Sequence, residues 1–453
     1  MFIRPPTVEM KSRQRVSKAP LPPANLELVG PSRAGMAGFQ AAVLATELPP
    51  SCAVAVVRGY RLVTNWAAGP DGWPAPGQTT LLGWEDRVSR SPDHELLIWA
   101  PLATIASELR NPAAADRRWI ALACTILSGW AAAIGARKTA ALLAEAAALA
   151  CPTDPQFAWA AGKALAGQNI PWCAEHWFSR ASRIAIWNKD WDTHAAALGS
   201  LAQLARVDGR FQDAEKLLTT ALRVAKRENL REREGKFCVD LLTLAAHSND
   251  VRKAETHARS ALQACAPADD ALVDLARGIA NLWYKHGRFA SALQVYRALL
   301  PHVSEATERL QIASACARAA GAVSDEATFH VASRTAWTLL DAGIAETEHP
   351  TATFALATGA IDLALWDDAR HALAAALHGA TLAGDEVLVA RIRSAQQPIG
   401  NNQTASRTPD LRNATRSPDR SLAGEIARKL DRRVHIPAAG QADEPIGDSG
   451  PGT

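Results

Sequence analysis

Cys173 and His176, in the run Cys-Ala-Glu-His-Trp, lie one helical turn apart, which is how a zinc site can begin on a helix. A structural site needs four such ligands, and no second close Cys/His pair follows, so the pair predicts packing and surface rather than metal. The stretch Gly129–Thr139, GWAAAIGARKT, has the residue types of a phosphate-binding loop. Its spacing fails: two extra residues separate Gly135 from Lys138, and no strand precedes it in this Ala-rich region. Neither GxSxG nor GxGxxG occurs. His247, His257, His286, His371 and His378 stand singly on expected helix surfaces. The acidic pairs Asp269-Asp270 and Asp367-Asp368 fall near expected turns, where capping of helix N-termini accounts for them. An Arg-Ser/Thr-Pro-Asp motif recurs at 90–93, 407–410 and 416–419. Such motifs start turns, and Ser91, Thr408 and Ser417 are also candidates for proline-directed phosphorylation. The sequons at Asn402 and Asn413 carry no weight without a secretory signal. No convergent catalytic set emerges, so no enzyme activity, cofactor or metal is expected.

The elements that would position any site read as helices. Alanine dominates from Ala131 onward, and alanine loses no side-chain entropy on entering a helix. The chain is 48% hydrophobic and only 6% aromatic, yet its 14 Trp outnumber 9 Phe and 3 Tyr. The net charge of +3 is too small to point to nucleic acid. Residues 1–35 carry six basic and two acidic side chains, so the basic character sits in a tail and the body is near neutral. Seven scattered cysteines without a CxxC predict reduced thiols in a cytoplasmic protein. The first twenty residues have no apolar h-region, and the apolar stretch around residue 50 is broken by Glu47, Pro49 and Pro50. Neither a secretory signal nor a membrane span is therefore expected. Arg outnumbers Lys 38 to 11, the bias of a GC-rich bacterial genome.

A repeat organises the helical region. Gly209-Arg210-Phe211…Ala214…Leu218…Ala221-Leu222 matches Gly287-Arg288-Phe289…Ala292…Tyr296…Leu299-Leu300, and Asn249…Ala254…Ala258…Leu262 is a weaker copy. Looser copies place the corresponding alanines at 140, 174 and 369. The spacings of 34, 40, 40, 38 and 77 leave room for one degenerate unit near residue 327. Each residue type has a packing reason. Gly209, Asn249 and Gly287 suit the left-handed position that ends a first helix. The alanines are small where two helices of a hairpin approach most closely. Phe211, Leu218, Phe289 and Tyr296 are expected to fill the space between successive hairpins, because a hairpin with an open apolar face must stack on a neighbour.

The best unit, with Ile279-Ala280 and Trp283 followed by Gly287, Phe289, Ala292 and Tyr296, resembles the tetratricopeptide repeat. Spacings near 40 rather than 34 depart from that family. The resemblance implies an all-α fold, an α-solenoid of about six or seven antiparallel hairpins over residues 101–395. It also implies that the first helix of each hairpin lines a concave binding face. Positions on that face would be Lys163, Gln203, Arg206, Lys236, Thr243, His247, Arg277, Asn281, Tyr284 and Lys285. Arg277, Asn281 and Lys285 follow one another at helical turns and could hold a carboxylate or an acidic peptide.

Around this array, residues 1–35 are expected to be a disordered basic tail. Residues 36–100 mix β-branched runs with Gly/Pro punctuation and suggest a small mixed or irregular element. Residues 396–453 turn polar and read as a disordered tail. Within that tail, Leu422, Ile426, Leu430 and Val434 recur every four residues beside Arg428, Lys429, Arg432 and Arg433. That is an amphipathic helix over 421–435, which could dock on a partner, dock in the protein's own groove, or stay transient in solvent. The expected function is a non-catalytic adaptor or scaffold for a protein or peptide partner, with no specific nucleic acid or membrane contact. Two alternatives stay open. One is a sensory array that binds a small peptide or signal molecule and acts through a partner. The other is an enzyme whose catalytic element is residues 36–100, with Arg58, Tyr60, Asp71, Glu85, Asp86, Asp93 and His94 as its polar residues.

Overall fold

The computed structural model describes residues 46–69, 78–92, 95–266, 268–342, 349–400 and 420–435. Among the described residues there are 19 α-helices and no strand. None of the helices is long and apolar enough to cross a membrane. The chain divides into two compact units, Met1–Asp208 and Gly209–Thr453, and each has its own apolar core.

The first unit opens with α1 (Pro50–Ala67), α2 (Gln78–Val88) and α3 (Leu96–Leu109). The described part of 36–100 is thus helical, where composition suggested a mixed element; Asp71, Asp93 and His94 lie outside it. Period decides the matter over residue type. Cys52, Val56, Tyr60, Val63 and Trp66 are buried at intervals of three and four, which fits one face of a helix and not a strand. Pro50 sits at the start of α1, where its missing N–H is harmless. Two hairpins follow, α4 (Arg117–Ala133) with α5 (Arg137–Ala150) and α6 (Pro155–Ala166) with α7 (Pro171–Asn188), and α8 (Trp191–Val207) closes the unit.

The second unit begins with α9 (Phe211–Arg227). Four hairpins come next: α10 (Arg231–His247) with α11 (Val251–Ala264), α12 (Asp270–Lys285) with α13 (Phe289–Leu299), α14 (Ala306–Val323) with α15 (Glu326–Asp341), and α16 (Pro350–Asp362) with α17 (Trp366–Leu382). The single helices α18 (Glu386–Gly400) and α19 (Arg420–Asp431) complete it.

The repeat read from the alanines is the repeat of the structure. Every first helix from α4 to α16 ends at a left-handed residue: Gly135, Asn169, Gly209, Asn249, Gly287, Ser324 and Ala364. At six of these turns the following N–H reaches back five residues, as in Arg288 N to Trp283 O and Leu365 N to Ala360 O. This closes the helix with the hydrogen bond of a Schellman motif. Ala140, Ala174, Ala214, Ala254, Ala292 and Ala369 each sit four residues into the second-helix segment and are 0–4% exposed. The degenerate unit is α14/α15, where that position holds Phe329, 1% exposed. Its ring packs against a glycine, Gly359 of α16. A Cβ on Gly359 would lie 3.1 Å from Phe329 Cε2, and a Cβ on Gly321 would lie 2.4 Å from the carbonyl oxygen of Gly359. The backbones of α14 and α16 therefore touch.

Not every aromatic behaves as expected. Trp283 and Tyr296 are fully enclosed, whereas Phe211 is 47% exposed and its ring stacks on His247 at 5.8 Å.

Candidate functional site

The residues six positions before the left-handed turn residues form a register of their own: Lys163, Gln203, Thr243, Asn281, Arg318 and Thr358. Six successive first helices thus place a polar side chain at one structural position, although four of them are mainly apolar and Ala-rich. The first two belong to the first unit and the other four to the second.

In the first unit, Lys163 Nζ lies 4.7 Å from the centroid of the Trp159 ring. Gln203 is exposed and Arg206 half-buried on α8. In the second, Lys236 is exposed on α10. Thr243 Oγ1 donates to Val239 O, and His247 Nδ1 is 2.9 Å from Thr243 O. Beside His247's stacking partner Phe211 is a recess of about 140 Å³, lined by Phe211, Glu215, Leu241, Leu244 and Lys253. It is large enough for a side chain but below the volumes of ligand pockets.

On α12 the structure separates residues that the spacing grouped. Arg277 is ion-paired with Asp274 of its own helix and with Glu308 of α14. Asn281 Oδ1 accepts a 2.6 Å hydrogen bond from the Tyr296 hydroxyl on α13. Both side chains therefore tie helices together: Arg277 links successive hairpins, and Asn281 links the two helices of one hairpin. Lys285 is exposed.

Tyr284 is where the face gathers functional groups. It is half-buried and meets Phe289 edge-on at 5.6 Å. Arg318 of α14 lies with its Cζ 5.4 Å from the Tyr284 ring centroid. Arg391 of α18 lies 5.3 Å over Phe354 of α16. Burial pushes the Tyr284 phenol up. Arg318 and Arg391 pull it down and Asp362 pushes it up further, so all three charges act on this ring. Three successive first helices, α12, α14 and α16, and the single helix α18 thus contribute to one patch. Neither arginine has an ion pair among the described residues, so each guanidinium keeps its donors for another anion while an aromatic face supports it. Sequence reasoning missed Arg318 and Arg391. The register would have found Arg318 had Ser324 been recognised as the turn residue of the degenerate unit.

Elsewhere the chemistry is structural. All seven cysteines are free, and six are buried. Burial, with Glu145 nearby, pushes the Cys173 thiol up to about 11. Desolvation, then Arg180 and Arg183, hold His176 below its ordinary value. No group of three or more His, Cys, Asp or Glu that could hold a metal occurs among the described residues. Glu85 is ion-paired with Arg110. Thr408, Ser417, Asn402 and Asn413 lie outside the described residues.

The packing of paired helices, with one left-handed turn and one small buried residue per pair, makes this a helical-repeat protein of tetratricopeptide-like architecture. No protein-family model matches the sequence, and no curated protein matches it. Among solved structures, one from a functional characterisation of Pseudomonas aeruginosa pilF is similar at 16% identity and TM-score 0.40, over 51% of this chain and 94% of that one. A Rap protein complexed with competence and sporulation factor is similar at 10% identity and TM-score 0.37, over 78% of this chain and 99% of that one. A circular tandem repeat protein matches at 14% identity and TM-score 0.18, over 86% and 98%. At these values the likenesses add nothing to the packing already described.

Proposed function

We propose that the protein is a peptide- or protein-binding adaptor, and that in its second unit the first-helix face around Tyr284 receives a carboxylate-bearing segment of the partner. The observation that carries this reading is the pair Arg318 and Arg391. They are two guanidinium groups on α14 and α18, with the α16/α17 hairpin between them in the chain, without ion pairs among the described residues, and each lies over an aromatic ring. A carboxylate accepts two parallel hydrogen bonds from such a fork, and the aromatic support limits the entropy lost on binding. Arg277, already shared between two carboxylates, has a structural part in the same face.

The test is to select peptides on the full chain from a random library and measure their affinity for variants. Selected peptides should share an acidic residue or a free C-terminus. They should lose affinity by tenfold or more, roughly 1.4 kcal/mol, with Arg318→Ala or Arg391→Ala. Arg277→Ala should lower stability and leave affinity largely intact. Peptides without a carboxylate, or affinities indifferent to Arg318 and Arg391, would refute the proposed face.

A further inference from the structure

The helix α19 is separated from α18 by residues 401–419 and packs back onto α13 and the start of α12. Its Leu422, Ala423, Ile426 and Leu430 are 0–1% exposed and belong to the apolar core of the second unit. Gly424 lies beside Gln294 of α13. Two cations fix its far end. Lys429 Nζ donates to Leu262 O in the last turn of α11, where the helix dipole favours positive charge. Arg433 donates to Asp269 O and to Asp270 Oδ1, each at 2.7 Å.

The helix against which α19 packs in its slot, α13, is the shortest of the second helices. It has 11 residues, whereas the other second helices have 14 to 18. After it the chain turns through a 3₁₀ segment, Leu300–His302. A 12-residue helix of this composition is marginal alone in water, so its order comes from the slot. The interaction is therefore a binding event in which the ligand happens to be tethered.

We propose that this slot is a recognition site for an amphipathic helix supplied by a partner protein, and that the chain's own C-terminal helix is its intramolecular competitor. The resident helix states the chemistry the slot reads. Large apolar residues occupy i, i+4 and i+8, a small residue i+1, and basic residues i+7 and i+11. This is helix-in-groove recognition. It is independent of the Tyr284 face, which is built on first helices. Tethering through a segment of this length gives the resident helix an effective concentration on the order of 1 mM. A partner helix must therefore outbid that concentration, and the slot opens only to a tight or abundant ligand.

The probe is a dye-labelled synthetic peptide of residues 420–435, followed by fluorescence anisotropy on the full chain. Wild type should bind it weakly. A chain carrying Ile426→Asp and Leu430→Asp, whose own helix is expelled, should bind it about 100-fold more tightly. A probe with Ile426→Asp should not bind. Should the double variant fail to fold, a wild-type chain with a protease site placed within 401–419 decides the matter. After cleavage it should exchange its own fragment for the probe upon dilution. If the cleaved protein holds its fragment indefinitely, or unfolds when the fragment leaves, the helix is a fixed part of the core and the proposal fails. If the slot is filled in trans only by concentrating the protein into exchanged dimers, the occupant is a second copy and the distinct partner is ruled out.

Discussion

Where α13 carries Ala292, α15 carries Phe329, and both are closed to solvent. Where α12 carries Tyr284, three residues before its turn, α14 carries Gly321. The two neighbouring hairpins hold a large and a small residue at the same two positions in opposite order. In one, bulk sits on the first helix and the second helix is shaved to alanine. In the other, the second helix supplies the ring and the first helix is reduced to glycine. Between the two hairpins the large and the small residue change places. The consequence for the binding face is direct: Tyr284 stays at the surface of its hairpin as an aromatic platform, and Gly321 leaves α14 close to the backbone of α16.

That comparison can be broken at several points. Phe329→Ala should be the most damaging change, with a loss of about 3–5 kcal/mol in denaturant unfolding because the glycine-lined space cannot collapse far. Gly321→Ala should follow at about 2–4 kcal/mol, since the new methyl meets the Gly359 backbone rather than a yielding side chain. Gly278→Ala is its control in α12. There the added methyl meets only the end of Leu242, and helix propensity gained offsets the contact, so stability should change by less than about 1 kcal/mol. Asn281→Ala should destabilise by about 1–3 kcal/mol, because the hydroxyl of the enclosed Tyr296 loses its acceptor. Asn281→Asp, which keeps an acceptor there, should recover part of that loss. The smallest effects should come from the turns. Gly287→Ala should lower stability and Ala364→Gly raise it, each by about 1 kcal/mol, read as opposite shifts in Tm, since both positions have positive φ.

Most of the scaffold was legible in the sequence because it rests on two local signals, a residue that tolerates left-handed backbone and an alanine at a fixed distance after it. The signals fail where tertiary packing substitutes for them. At Ser324 and Ala364 the turn is made by residues that do not advertise it, and at Phe329 the small residue is replaced by its opposite. Losing that phase hid Arg318, which occupies the same register position as Asn281. Arg277 and Asn281 were visible as polar residues on the right face, but their partners Glu308 and Tyr296 lie 31 and 15 residues away, and pairing at that range cannot be read from one helix. The N-terminal helices were obscured by valines, whose modest dislike of helix is outweighed by burial. For α19 the stripe was plain. Its destination, against α13 and the start of α12, is set by elements far earlier in the chain.

The contact between Gly321 and Gly359 bears on how this protein comes apart. In repeat arrays each unit usually opens against its neighbours at an interface of side chains that can part and reseal one at a time. Between α14 and α16 the interface is main chain against main chain, and no side chain can swing aside to relieve it. The two hairpins there should behave as one block in hydrogen exchange, with protection gained and lost together. A repeat deleted or duplicated at that junction would not leave a shorter or longer protein of the same kind, because modularity ends where the spacer between modules has shrunk to nothing.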